Sequence, residues 1–211
     1  MDIYKVFLLV LAFALNMTKI YSQQSMDQYK VIFTNPPQHV PTSKTPDAPI
    51  AGNGDIGVTM GGGPDSLRFY IGKNDFWRAY PVYPGGIALP GGLDILFKEL
   101  KDASYYAEQL PGSAEIKATF STKACQVHLS AWVAATANKI IIELRSDKKQ
   151  IAHVRLWTVE GNGAITAHGN SPVTWVSRSF QTTKLLSWPT HIALAMNTEK
   201  DELILNPGET V

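Results

Sequence analysis

Residues that could bind a sugar or a protein partner are concentrated in two short stretches of this sequence, Gly52–Asp55 and Lys73–Arg78. An indole stacks on the faces of sugar rings, whereas amide, carboxylate and guanidinium groups hydrogen-bond to hydroxyls. The chemistry of these stretches therefore fits a sugar-contact or partner-contact site. The candidate site residues are Asn53, Asp55, Asn74, Asp75, Trp77 and Arg78.

A purely structural interpretation accounts for the same residues. Asn74 and Asp75 are of the type that caps its own turn, and Trp77 would then fill the core. The two interpretations differ in whether the indole of Trp77 is exposed.

Hydrolysis of a glycosidic bond needs two groups placed across that bond. Asp55, Asp75 and Asp94 are available carboxylates, but nothing in the sequence pairs them. The histidines on strand-like segments occur singly, without metal-ligand spacing. They are His128, His153, His168 and His191. We expect no catalytic residue, no metal site and no cofactor in this chain.

The composition excludes several classes of protein. A net charge of +1 over 211 residues gives no electrostatic basis for binding nucleic acid. Cys125 is the single cysteine, so disulfides within the chain cannot hold the fold together. Its alternating surroundings predict a small hydrophobic side chain on a strand rather than a nucleophile.

Short apolar runs separated by glycine and proline predict many strands joined by turns. Ala114–Ser121, Gln126–Ala134 and Lys139–Arg145 should be adjacent antiparallel strands, because their connections are short. Gly161-Asn162-Gly163 is expected to form a hairpin turn. Ser104–Gln109 has the composition of one helical turn. The predicted fold class is all-β, a large antiparallel two-sheet β-sandwich that is truncated at its C-terminus.

The sequence divides into three parts. Residues 1–22 read as a signal peptide, since Lys5 precedes the apolar run Val6–Leu15, which is about half the length of a membrane span. Residues 23–49 are rich in proline and predict an extended segment. Residues 50–211 form the β-sandwich. We expect a secreted, extracellular protein (periplasmic in a bacterium) that does not contact a membrane after signal cleavage.

Several motifs, in order, resemble the opening of glycoside hydrolase family 95, the α-L-fucosidase type, or a closely related uncharacterised family. They lie at Pro49–Gly57, Gly62–Phe69, Asn74–Trp77, Gly91–Ile95, Ala131–Ile140, Trp175–Phe180 and Leu205–Val211. Two features depart from the family pattern. Ala51 precedes Gly52, and the Asn-Asp-Phe-Trp stretch is shorter than its counterpart in the family.

The resemblance implies a large N-terminal sandwich that packs on a catalytic (α/α)6 barrel carrying the catalytic residues. This chain would then be an accessory domain of a secreted glycoside hydrolase. Its partners would be the barrel of the same protein and a carbohydrate. Two alternatives stay open, a stand-alone carbohydrate-binding sandwich and an incomplete fragment with no activity of its own.

Overall fold

A computed structural model describes residues 26, 28–40, 46–78, 86–161, 163–185, 187–197 and 201–211. A little over half of these residues lie in β-strands, and one short 3-10 helix is present at Lys98–Leu100. The strands are β1 (Val31–Phe33), β2 (Ile50–Gly52), β3 (Ile56–Gly63), β4 (Ser66–Lys73), β5 (Trp77–Arg78), β6 (Gly86–Ile87), β7 (Gly91–Leu96), β8 (Ser104–Leu110), β9 (Glu115–Ser121), β10 (Gln126–Val133), β11 (Ile140–Ser146), β12 (Gln150–Thr158), β13 (Ala164–Gly169), β14 (Thr174–Phe180), β15 (Thr190–Met196) and β16 (Glu202–Leu205).

Two large antiparallel sheets form the body of the domain. The five-stranded sheet has the order β1-β8-β9-β10-β11, and the six-stranded sheet has the order β16-β12-β7-β4-β3-β2. The all-β sandwich prediction is confirmed. The predicted adjacency of the segments that became β9, β10 and β11 is confirmed as well, with His128 facing Thr119 on one side and Arg145 on the other.

One hydrophobic core lies between these sheets. Alternate residues point inward, as expected for strands with one buried face. Met60 and Phe69 from the six-stranded sheet and Phe120 and Leu129 from the five-stranded sheet all belong to the same buried cluster. Cys125 is also buried in this cluster, as expected for a small hydrophobic side chain, but it lies directly before β10 rather than on the predicted strand.

A third sheet was not predicted. Strands β13, β14 and β15 form a separate antiparallel sheet, and β5 pairs with β6 in a short ribbon. The hairpin prediction at Gly161-Asn162-Gly163 is wrong, because the flanking strands β12 and β13 belong to different sheets. Asn162 itself lies outside the described residues. Both glycines have positive φ, 79° and 74°, so a turn does occur there.

Ser104–Gln109 is not helical. It forms most of β8, in which Tyr105 and Ala107 are buried and their neighbours Ser104 and Tyr106 are exposed. This two-residue period identifies a strand with one face on the core. Pairing with β1 on one side and β9 on the other overrides the weak local helical composition.

Within the segment 23–49, strand β1 pairs with β8 through Val31–Phe33. The predicted signal peptide, residues 1–22, lies outside the described residues. In the part of the chain that is described, no helix has the length and apolar character needed to cross a membrane.

Candidate functional site

Asn53 holds the turn between β2 and β3. Its Oδ1 accepts hydrogen bonds from the backbone N–H groups of Asp55 (2.9 Å) and Ile56 (2.8 Å). Its Nδ2 donates to the carbonyl of Ala134, 2.9 Å away in the β10–β11 connection. Gly54 follows with a φ of 90°, a conformation that glycine adopts without strain. The Asn-Gly pair therefore forms a side-chain-capped turn, as its sequence predicts.

Lys73 joins two of the candidate carboxylates. Its Nζ lies 2.6 Å from Asp55 Oδ1 and 2.9 Å from Asp75 Oδ2. The hydrogen bond to Asp55, followed by that to Asp75, raises the pKa of Lys73 above its ordinary value. The side chain of Lys73 is 14% exposed, whereas that of Asp75 is 71% exposed. Two carboxylates that share one cation serve to position a loop.

Trp77 is held by its backbone and by its indole N–H, yet half of it is exposed to solvent. Its Nε1 donates to the carbonyl of Asn74 at 2.7 Å, and its own carbonyl accepts from Thr190 Oγ1 at 3.0 Å. Asn74 is itself fixed, because its N–H donates to the Asp55 carbonyl and its Nδ2 to the Gly54 carbonyl. The residue is 50% exposed. Of the two interpretations, the one in which Trp77 fills the core is therefore wrong.

Arg78 lies against an aromatic cluster. Its Cζ is 4.8 Å from the centroid of the Phe180 ring, and the Cζ of Arg178 is 4.9 Å from the same centroid. Phe76 stacks on Phe180 with ring centroids 5.6 Å apart. Burial lowers the pKa of both arginines, and the charge of Arg78 lowers that of Arg178 further. These contacts join β14 to the loop that carries Trp77.

A cleft of about 750 Å³ opens beside these turns. Asp55, Lys73 and Asn74 supply polar groups to its wall, and Tyr70 and Ile87 supply apolar surface. This volume is within the usual range for small-molecule sites, roughly 300 to 1,000 Å³. The cleft is therefore large enough for a sugar residue.

The structure brings the predicted residues together only in part. Asp55, Asn74 and Asp75 surround Lys73 or contact one another through the backbone, and Trp77 follows directly. Sequence reasoning missed Lys73. Its position immediately before the Asn74-Asp75 pair was the signal that could have identified it, whereas its contact with Asp55, 18 residues away, could not be read from the sequence.

Asp94 belongs to a separate cluster. Its side chain is on the face of the six-stranded sheet opposite to the face that packs on the hydrophobic core. Its direct neighbours on the adjacent strands are Arg68 on β4 and Arg155 on β12. Arg68 donates to both carboxylate oxygens at 2.7 and 2.8 Å. In the next row, Tyr70 and Trp157 meet edge to face across Gly92 at 5.4 Å. Asp94 is thus a structural ion-pair centre.

The four histidines lie on four different strands, β10, β12, β13 and β15. Among the described residues, no group of three or more histidine, cysteine, aspartate or glutamate side chains is arranged to hold a metal ion. His128 Nδ1 lies 3.1 Å from Thr119 Oγ1 on the neighbouring strand, an ordinary cross-strand contact.

Comparison with known proteins adds no family assignment. No protein-family model matches the sequence, and no curated protein matches it significantly.

Proposed function

We propose that this chain is a non-catalytic accessory β-sandwich of a secreted glycoside hydrolase of the α-L-fucosidase type, and that Trp77 packs against the catalytic domain. The observation that carries the proposal is the half-exposed Trp77, which begins the short strand β5 and is held in place by hydrogen bonds. An aromatic side chain already fixed in position loses little conformational entropy on binding, which suits the anchor of an interface.

The polar residues of the loop support an accessory role. Asn53, Asp55 and Asn74 are all engaged in holding the two turns, so their hydrogen-bonding groups are partly used. Asp94, the third available carboxylate, is nearly inaccessible and bound by two arginines. Asp94 is therefore not placed to act as one of two carboxyl groups across a glycosidic bond.

A stand-alone carbohydrate-binding domain is the second candidate. The cleft of about 750 Å³ favours it, since Asp55 and Asn74 lie in the wall near Tyr70. Binding of a sugar there would place hydroxyl groups near carboxylate and amide groups and a ring face near an aromatic side chain.

The test compares Trp77→Ala with Phe76→Ala. Phe76 is 2% exposed and stacks on Phe180, so its truncation should cost about 3 to 5 kcal/mol of unfolding free energy. Trp77→Ala should cost less than about 1 kcal/mol in the sandwich alone, because half of the indole is in solvent. In an enzyme that joins this sandwich to a catalytic domain, Trp77→Ala should lower activity towards an aryl α-fucoside.

Two results would count against the accessory role. If Trp77→Ala unfolds the sandwich as Phe76→Ala does, Trp77 is a core residue. If the purified chain alone turns over an aryl α-fucoside and Asp75→Asn abolishes that turnover, the active site lies on this domain. Saturable binding of free fucose that is lost in Asn74→Ala would instead favour the carbohydrate-binding alternative.

A further inference from the structure

The three-stranded sheet turns one face to the body of the domain and the other face outward. On its inner face, Val176 and Phe180 of β14 are buried, and Leu194 and Met196 of β15 pack against the hydrophobic core. Successive residues of a strand point to opposite faces of a sheet, so the residues between these point outward. None of the candidate site residues described above lies on this outward face.

Trp175 lies on the outward face near one end of β14. It is directly opposite Gly169 on β13 and Ala195 on β15. A Cβ on Gly169 would lie 2.6 Å from Nε1 and 2.8 Å from Cε2 of the indole. The indole therefore leans over β13, in the space that the glycine leaves by having no side chain.

The indole N–H of Trp175 is available to a ligand. Trp77 Nε1 donates to a backbone carbonyl, and Trp157 Nε1 is buried without a partner. Trp175 Nε1, in contrast, bonds to no described residue and is not buried. An indole combines a large apolar ring with one polar donor, which suits a binding surface that stays partly wet.

The side chains around Trp175 are mostly small, and none of them is an acid, a lysine or an arginine. The remaining outward positions of the three strands are held by Ile165, Ala167, Ser177, Ser179, His191 and Ala193. Short side chains leave the face nearly flat beside the indole. The serine hydroxyls and the imidazole can each form hydrogen bonds with a neutral partner.

This composition decides between the classes of partner. Nucleic acids and acidic polymers are bound through lysine and arginine, and these outward positions have neither. Protein interfaces are depleted in serine and alanine, which hold more than half of these positions. A neutral sugar needs only an aromatic ring to stack on and uncharged groups that hydrogen-bond to its hydroxyls. The absence of charge therefore favours a neutral sugar.

We propose that the outward face of the three-stranded sheet binds a neutral polysaccharide, with one sugar ring against Trp175 and the following sugars along β14. At about 3.3 Å per residue, Ser177 and Ser179 lie roughly 7 and 13 Å from Trp175 along the strand, where hydroxyls of successive sugars can reach them. A β-1,4-linked chain of glucose or mannose has the extended, flat shape that this surface accepts. The proposal does not rest on the role proposed for Trp77.

The probes are cellohexaose and mannohexaose, the β-1,4-linked hexasaccharides of glucose and mannose. Isothermal titration calorimetry with the full chain should show saturable binding of at least one of them. At saturation, the indole N–H resonance of Trp175 should shift in an NMR spectrum, where its loss in Trp175→Phe assigns it. The resonance of Trp157 should not shift, because its N–H is buried on another sheet.

Trp175→Ala should weaken binding by about tenfold or more, and Trp175→Phe, which keeps an aromatic ring, should weaken it less. The matched control is Trp188→Ala, at a position that is 61% exposed in the connection between β14 and β15, and its affinity should be unchanged. Circular dichroism establishes that each variant is folded.

A second substitution tests the same face without removing a packed side chain. Ala193 is exposed and directly opposite Ser177, so Ala193→Arg places a long charged side chain where the sugars would lie. It should weaken binding by about tenfold or more. Ala124→Arg, at an exposed turn position before β10, is its control and should bind like the wild type.

Three outcomes overturn the proposal. The first is that neither hexasaccharide binds the wild-type protein saturably. The second is binding that Trp175→Ala and Ala193→Arg leave unchanged and Asn74→Ala abolishes, since the sugar would then lie in the cleft beside Lys73. The third is concentration-dependent dimerisation of the sugar-free protein that Ala193→Arg abolishes, since a second copy of this chain would then cover the face.

Discussion

Asp94 and Arg155 face each other across β7 and β12, and Arg155 Nη2 lies 2.9 Å from Asp94 Oδ2. The carboxylate side chain is 3% exposed, whereas that of Arg155 is 62% exposed. The arginines stabilise the buried Asp94 carboxylate through charge-assisted hydrogen bonds. Because their guanidinium groups stay partly in solvent, the cost of desolvating them is small.

We expect Asp94→Asn to lower the unfolding free energy by about 2 kcal/mol, because both arginines lose their negative partner and the amide NH2 replaces one of the two acceptor oxygens. Urea unfolding at pH 7 measures this. The control is Asp102→Asn, at an exposed position, which should change stability by less than about 0.5 kcal/mol. Equal effects of the two substitutions would contradict a special role for Asp94.

Lowering the pH should lower the unfolding free energy through protonation of Asp94. Burial alone would raise the pKa of Asp94, but the hydrogen bonds from Arg68 and Arg155 outweigh it and leave the pKa below its ordinary value. The stabilisation is therefore full above the unfolded-state pKa of about 4 and is lost as the pH falls towards the lower folded-state pKa. Urea unfolding between pH 5 and pH 2.5 should show a shallower decline in Asp94→Asn than in the wild type.

Gly92 and Gly57 provide a matched pair of glycines in the same sheet. A Cβ on Gly92 would overlap the Phe69 carbonyl oxygen and lie 2.8 Å from Cζ2 of Trp157, whereas a Cβ on Gly57 would meet nothing within 4 Å. We expect Gly92→Ala to destabilise the fold by about 3 kcal/mol and Gly57→Ala to be neutral or slightly stabilising. Thermal unfolding measures both, and similar melting temperatures would refute the steric argument.

Asn53→Ala should cost about 1 to 2 kcal/mol, because two backbone donors lose their acceptor and the Ala134 carbonyl loses a donor. Asn53→Asp keeps the acceptor and should recover part of that loss. The control is Asp75→Asn, which removes an exposed ion pair worth less than about 1 kcal/mol. Chemical denaturation of the three variants ranks them, and a larger effect at Asp75 would reverse our assignment of roles.

The sequence predicted those strands that pair with a strand next to them in the chain. Strands β9, β10 and β11 alternate and follow one another closely, so their pairing could be inferred from the sequence. Asp94 could not be paired in advance, since Arg68 and Arg155 are 26 and 61 residues away. Its partners depend on β7 lying between β4 and β12, an order that alternation alone does not specify.

The candidate site could likewise be predicted only where its contacts are close in the sequence. The turn at Asn53 follows from its own residue types, and Asn74 and Asp75 were recognised as turn residues. The exposure of Trp77 was left open because it depends on Thr190 and the third sheet, 113 residues further along the chain. The apolar, turn-flanking pattern around Trp77 is the same for an interface anchor as for a core residue.

The contacts of Lys73 should affect how fast two turns open, namely those that carry Asp55 and Asp75. One ammonium links the turn after β2 to the turn after β4, and the hydrogen bond from the Asn74 N–H to the Asp55 carbonyl links them again. Neither turn can open without breaking contacts to the other. The two turns should therefore fluctuate as one cooperative unit, with amide protons that exchange at a single shared opening rate rather than at two independent ones.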